Sequence, residues 1–137
     1  MRKALKILLA ALVLVSGCTC EKQKEDLTAF MADTTVRLSR SGTPQFVYDA
    51  RTCQLGFNRS RCEFSAFKDD QTDYFILTLD SIPTQEGEEV HGSLSWTTSS
   101  SISILKDIAL EAVRLEGDRI WFWCSAMNLG AVVRVLE

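Results

Sequence analysis

Residues 90–96 read Val-His-Gly-Ser-Leu-Ser-Trp. In an extended chain Val90, Gly92, Leu94 and Trp96 share one face, and His91, Ser93 and Ser95 share the other, because successive side chains point to opposite sides. A helix would scatter that apolar set around its axis. Such alternation marks an antiparallel strand with one face on a core. Working outward, residues 74–79 (YFILTL) are apolar on both faces, as in a central or doubly covered strand. Residues 81–89, with Pro83 and Gly87, supply the turn between these two runs. Upstream, residues 46–50, 53–57 and 62–68 are short strand candidates. Downstream, residues 119–124 (RIWFWC) are rich in aromatic and β-branched side chains, and 129–136 makes a final strand.

Residues 104–115 read two ways. Ile104, Ile108, Ala112 and Leu115 share a helical face. Glu116-Gly117-Asp118 then leads directly into RIWFWC, which favours a hairpin instead. The expected fold is all-β: an antiparallel meander of six to eight short strands closing as a small barrel or sandwich. A short helix over 26–36 (DLTAFMADTTV), with Leu27, Phe30 and Met31 on one side, is an optional addition; otherwise that stretch continues a tether. Residues 39–44 (SRSGTP) read as a loop by composition, which places the start of the compact domain at Gln45.

The 137 residues suffice for one domain. At the N-terminus, Arg2, Lys3 and Lys6 precede residues 7–15 (ILLAALVLV), an apolar run without a charge or breaker. As a helix that run reaches about 13 Å, too short for a ~30 Å hydrocarbon core. Charge, short apolar run and small residues follow in the order of a secretory signal peptide. Val15-Ser16-Gly17-Cys18 then resembles the lipobox of bacterial membrane lipoproteins. The resemblance implies a diacylglyceryl thioether on Cys18, cleavage before it by signal peptidase II, and acylation of the new amino group, palmitate being a typical chain. The small residues at 16 and 17 leave the backbone open to the peptidase. Thr19 follows the cysteine in place of Asp, which resembles the outer-membrane default and implies a chain anchored there, on the periplasmic or the surface face.

The division expected is therefore a signal peptide at 1–17, an acylated and charged tether at 18–44, and a β-rich domain at 45–137. Removing residues 1–17 takes away Arg2, Lys3 and Lys6 and no acid, leaving 12 basic against 18 acidic side chains, a formal charge of −6. Phosphate backbones would repel such a domain, so no nucleic-acid partner is expected.

In an exported protein the cysteines beyond Cys18 read as disulfide candidates. Cys53 and Cys62 are symmetric about Phe57-Asn58, so a tight hairpin turn there would oppose them and allow a bridge. Cys124 alternates with Ile120 and Phe122 and reads either as a buried thiol or as a bridge partner. His91 is the single histidine, with Glu89 on the same strand face. Two such groups do not make a metal site, and Ser93 lies roughly 7 Å along the strand, beyond direct proton transfer. No metal or cofactor is expected. Trp121 and Trp123 share a strand face and either form an aromatic platform for a sugar or apolar ligand, pack a second layer of core, or line a barrel interior.

These readings lead to an envelope lipoprotein held in the bilayer by acylated Cys18, whose β domain binds an envelope protein or a glycan without catalysis. The alternatives are an envelope enzyme built on His91 and nearby acids, and a purely structural envelope component.

Overall fold

The computed structural model describes residues 34–49, 53–68, 73–98 and 101–136. They form β1 (Thr34–Arg40), β2 (Thr43–Asp49), β3 (Gln54–Asn58), β4 (Glu63–Phe67), β5 (Tyr74–Leu79), β6 (Glu89–Thr98), β7 (Ser101–Glu116), β8 (Arg119–Cys124) and β9 (Leu129–Arg134). All nine join one antiparallel sheet in the order β2-β1-β9-β8-β7-β6-β5-β4-β3. β3 to β9 form a continuous meander. The β1–β2 hairpin then adds to the far side of β9.

The sheet curls into a half-barrel. Five strands separate β2 from β5 in the sheet, yet the rings of Phe46 on β2 and Phe75 on β5 lie 5.8 Å apart. The Lys68 ammonium, just past β4, sits 5.2 Å from the centre of the same Phe46 ring. The concave face is filled by Leu38, Phe46, Tyr48, Phe64, Phe75, Leu77, Leu94, Trp96, Leu110, Phe122 and their neighbours, all buried. Each large apolar side chain so buried contributes about 1.5–3 kcal/mol. The alternation at 90–96 places Val90, Leu94 and Trp96 in this core and leaves His91 and Ser93 exposed.

Residues 101–116 form one long strand, resolving the helix–strand ambiguity in favour of the hairpin. The strand excludes a helix because its alternate residues Ile108, Leu110 and Ala112 are buried against β6 and β8. β7 pairs with β6 up to Glu111 and with β8 from Glu111 on. Register shifts at Gly92/Leu94 and at Ala112/Arg114 let one strand serve both neighbours.

The sheet also begins earlier than the expected boundary at Gln45. β1 starts at Thr34, so 34–36 is strand where a short helix had been considered; residues 26–33 of that helix lie outside the described residues. Ser39 and Arg40 belong to β1, and Thr43 and Pro44 to β2. Only Ser41 and Gly42 turn, both at positive φ (51° and 79°), the conformation of a two-residue hairpin. Pro44 is accommodated because β2 is an edge strand, where a missing N–H need not break a ladder.

Gly92 is where the core tolerates least. A Cβ there would lie 2.3 Å from the Thr78 carbonyl oxygen and 3.2 Å from Leu79 Cα, both backbone atoms. Gly92→Ala is therefore expected to destabilise the fold by about 1–3 kcal/mol through overpacking. Urea unfolding should show the midpoint falling with an unchanged slope.

Candidate functional site

A concavity lies at the end of the half-barrel that carries the β7–β8 turn. It has a volume of about 560 Å³. Leu115 and Ile120 come from the facing ends of β7 and β8, Ile82 and Pro83 from the β5–β6 loop, and Val135 and Leu136 from the chain beyond β9. Asp118, Arg119 and Arg134 supply its polar groups.

The β5–β6 loop reaches this end because its backbone extends the sheet. Gly87 N–H donates to the Ala112 carbonyl at 2.7 Å, and Ala112 N–H donates to the Glu88 carbonyl at 2.8 Å. Glu86 Oε1 accepts from the Leu115 N–H at 3.1 Å. Gly117, at φ 60°, turns the chain into β8, and the Asp118 carbonyl accepts from Val135 N–H at 2.7 Å.

Asp118 and Arg134 form the ion pair of the rim. Arg134 Nε donates to Asp118 Oδ2 at 2.8 Å, and Nη2 reaches the same oxygen. The hydrogen bond from Arg134 holds the Asp118 carboxyl below its ordinary range, and this outweighs the opposing effect of partial burial. Arg119 and Arg134 stand directly opposite each other on β8 and β9. Like charges so placed repel, and Asp118 sits where it offsets them. A concavity in this volume range, lined by apolar and charged side chains together, suits a small ligand or a protruding side chain of a partner.

The outer face carries a different cluster. His91 Nε2 lies 3.6 Å from Glu89 Oε1, and Nδ1 lies 3.6 Å from Asp107 Oδ1. Both contacts are too long for hydrogen bonds, and all three side chains are at least half exposed. The carboxylates approach opposite ring nitrogens, so one metal ion could not take all three ligands. Among the described residues no group of three or more metal-ligating side chains is assembled.

Sequence reasoning found Glu89 and His91 and missed Asp107. Asp107 reaches His91 from β7 at the register shift opposite Gly92–Leu94, with φ at 54°. The pairing register of two strands brings it there, and no local pattern announces that. Glu89 borders a small hollow, while His91 and Asp107 stand exposed on the open face.

No family model, curated protein or solved structure matches this chain.

The remaining expectations fall out as follows. Trp121 and Trp123 do not form an open platform: they are 1% and 6% exposed. They lie on the outer face of β8, opposite the Ile120–Phe122–Cys124 side. There Trp121 packs with Val132 and Val113, and the Arg114 guanidinium lies 5.0 Å from its ring centre. Trp121 thus belongs to a second, smaller core layer. Trp123 does reach a smaller hollow of about 230 Å³ beside Glu89 and Glu111, below the size range of ligand pockets.

The Cys53–Cys62 pair is also corrected. The hairpin turns at Arg59–Cys62, with Asn58 opposite Glu63, and not at Phe57-Asn58. Cys62 therefore sits in the turn at φ 51°, while Cys53 precedes the far end of β3, a strand length away. None of Cys53, Cys62 and Cys124 is in a disulfide, and Cys124 is buried. Cys18 lies outside the described residues.

The rim pair gives a pH-dependent prediction. Because the folded pKa of Asp118 lies below its unfolded value of about 3.9, its contribution is complete above that value and is lost as pH falls through the folded pKa. Asp118→Asn is expected to remove up to about 1 kcal/mol at neutral pH, the range of a partly exposed ion pair. Urea midpoints at pH 7 and pH 3 check it: the difference between variant and parent should be present at pH 7 and shrink at pH 3.

Proposed function

We propose that this chain is an exported bacterial lipoprotein, anchored through acylated Cys18 in the outer membrane, whose half-barrel binds an envelope ligand at its end cavity. The observation that carries the anchoring is Val15-Ser16-Gly17-Cys18, placed directly after an apolar run too short to span a bilayer. Acyl chains on Cys18 each contribute about 0.8 kcal/mol per buried CH₂, and two or more hold a protein stably.

The form of the domain supports this reading. Its large side chains fill the concave side, while Glu89, His91 and Asp107 stand on the outer face in water. β1 runs antiparallel to β9 with Arg37 opposite Val132, so the start of β1 points toward the end of β9 that leads to Val135 and the cavity. Fifteen residues separate Cys18 from Thr34, a reach of up to about 50 Å when extended. Binding is favoured over catalysis because the cavity holds an ion pair on apolar walls and no nucleophile, while the histidine lies on an open face elsewhere.

Intact mass of the membrane-extracted protein tests the anchor. The chain should begin at Cys18 and carry acyl mass, and Cys18→Ser should lose that mass and keep residues 1–17. An unmodified parent chain beginning at Met1 would sink the reading.

His91→Ala separates binding from an enzyme built on the outer-face cluster. A photocrosslinker at Ile82 should capture the same cellular partner in the parent and in His91→Ala. Loss of capture in His91→Ala would move the site to the outer face.

A further inference from the structure

Among the described residues the nine-stranded sheet does not close, and no strand pairs with the outer side of β3. β3 pairs with β4 on one side only. The hydrogen-bond pattern of the neighbouring ladder shows which groups face outward. Leu79 N–H donates to the Cys62 carbonyl and Lys68 N–H to the Asp73 carbonyl, so the even-numbered residues of β4 point their backbone groups at β5. The odd-numbered Glu63, Ser65 and Phe67 must then bond to their partners Asn58, Gly56 and Gln54 on β3. That leaves the N–H and C=O groups of Leu55 and Phe57 directed away from the sheet, at the free edge.

Natural edge strands are usually blunted by Lys, Pro, a bulge or a covering element. β3 reads Gln-Leu-Gly-Phe-Asn, with no charge and no proline, and its register to β4 is unbroken. Leu55 and Phe57 pack on the margin of the core and are only half-buried.

We infer that the β3 edge pairs antiparallel with the β3 edge of a second copy, about a two-fold axis at Gly56. The sequence of the strand selects that occupant. Centred on Gly56, the pairing sets Leu55 against Phe57 of the other copy, apolar on apolar, on the core side. It sets Gln54 against Asn58 of the other copy, amide on amide, on the outer side, and the two glycines face each other without side chains to collide. Leu55 and Phe57, whose backbone groups point outward, form the hydrogen-bonded pairs. Centring on Leu55 or on Phe57 pairs less of the strand and breaks the match of like with like.

Charge agrees with this choice. The full chain carries −3 and residues 18–137 carry −6, so in either form two copies repel, while this strip is neutral and brings no like charges together. A contact of five residues a side falls below the roughly 1,200 Å² of a stable specific interface, so the association is transient and must be trapped to be seen. The inference does not depend on the lipid anchor or on the cavity.

The test is disulfide trapping in intact cells expressing the full chain, in a Cys20→Ser, Cys53→Ser, Cys62→Ser background. Positions 54 and 58 of one strand lie about 13 Å apart, too far for a bridge within a copy. Across the proposed pair they are adjacent. Mild oxidation of the Gln54→Cys/Asn58→Cys double variant should give a dimer on a non-reducing gel, and neither single variant should. Adding Leu55→Pro to the double variant should abolish the dimer, because it removes an outward N–H and leaves the ladder to β4 intact. Absence of the dimer in the double variant, equal dimer in a single variant, or persistence with Leu55→Pro would overturn the pairing. Adducts to proteins of other mass in place of the dimer would assign the edge to a foreign strand and overturn the second copy.

Discussion

The structure depends on β1 pairing with β9. β9 lies between β8 and β1, and its residues Leu129, Ala131 and Val133 are buried on the concave side. Without β1 its outward N–H and C=O groups would form an unpaired edge beside the centre of the core. β1 closes that edge from Arg37↔Val132 to Arg40↔Leu129. The β1–β2 turn and the β8–β9 turn are tied as well: Ser41 N–H donates to the Asn128 carbonyl at 2.8 Å, and Asn128 Nδ2 donates to Ser41 Oγ at 3.2 Å. Once β1 is fixed, its hairpin partner β2 can bring Phe46 and Tyr48 over the core. The first and last strands of the described chain thus complete a core that the central meander leaves half open.

Curvature follows from how β7 is used. It is far longer than β8, and it meets each neighbour through a ladder with a register shift. Such shifts bend and twist a strand locally, and the accumulated twist carries β2 back toward β5. The same irregularity sets Asp107 beside His91 on the outside, where water keeps the three polar groups weakly coupled. At the other end, β7 and β8 stop together at Gly117-Asp118. The rim of the end cavity is then built from the turn, the strapped β5–β6 loop and the tail of β9. Fold geometry and site geometry therefore share one cause, the mismatch in strand length around β7.

A half-barrel leaves two edges, and the chain treats them differently. β2 has Pro44, two register shifts and the Lys68 ammonium over its Phe46, features that make added strand pairing difficult. β3 has no proline and no register shift, although the Arg59 guanidinium lies 5.5 Å from the centre of its Phe57 ring. The contrast between a guarded and a bare edge in one sheet gives the bare one its interest, since both arise from the same incomplete closure.

Alternation alone determined the strand class. Residues 90–96 repeat apolar side chains every second position, which a helix cannot bury on one face, and 119–124 are rich in aromatic and β-branched residues. The resemblance of residues 15–18 to a lipobox is equally local, because it rests on four consecutive residues and the run before them. Everything that required partners had to come from the tertiary structure. The Cys53–Cys62 symmetry was visible, but a turn placed at Arg59–Cys62 separates the two thiols. SRSGTP reads as a loop, yet pairing with β9 and the edge position of β2 draw four of its six residues into strands. Trp121 and Trp123 were recognisable as a shared face, and only the packing of Trp121 against Val113, Val132 and Arg114 made its part of that face interior. The cavity unites residues from 82 to 136, which no local pattern connects. Side-chain periodicity is a property of the chain, whereas register, turn position and burial depend on which strands meet.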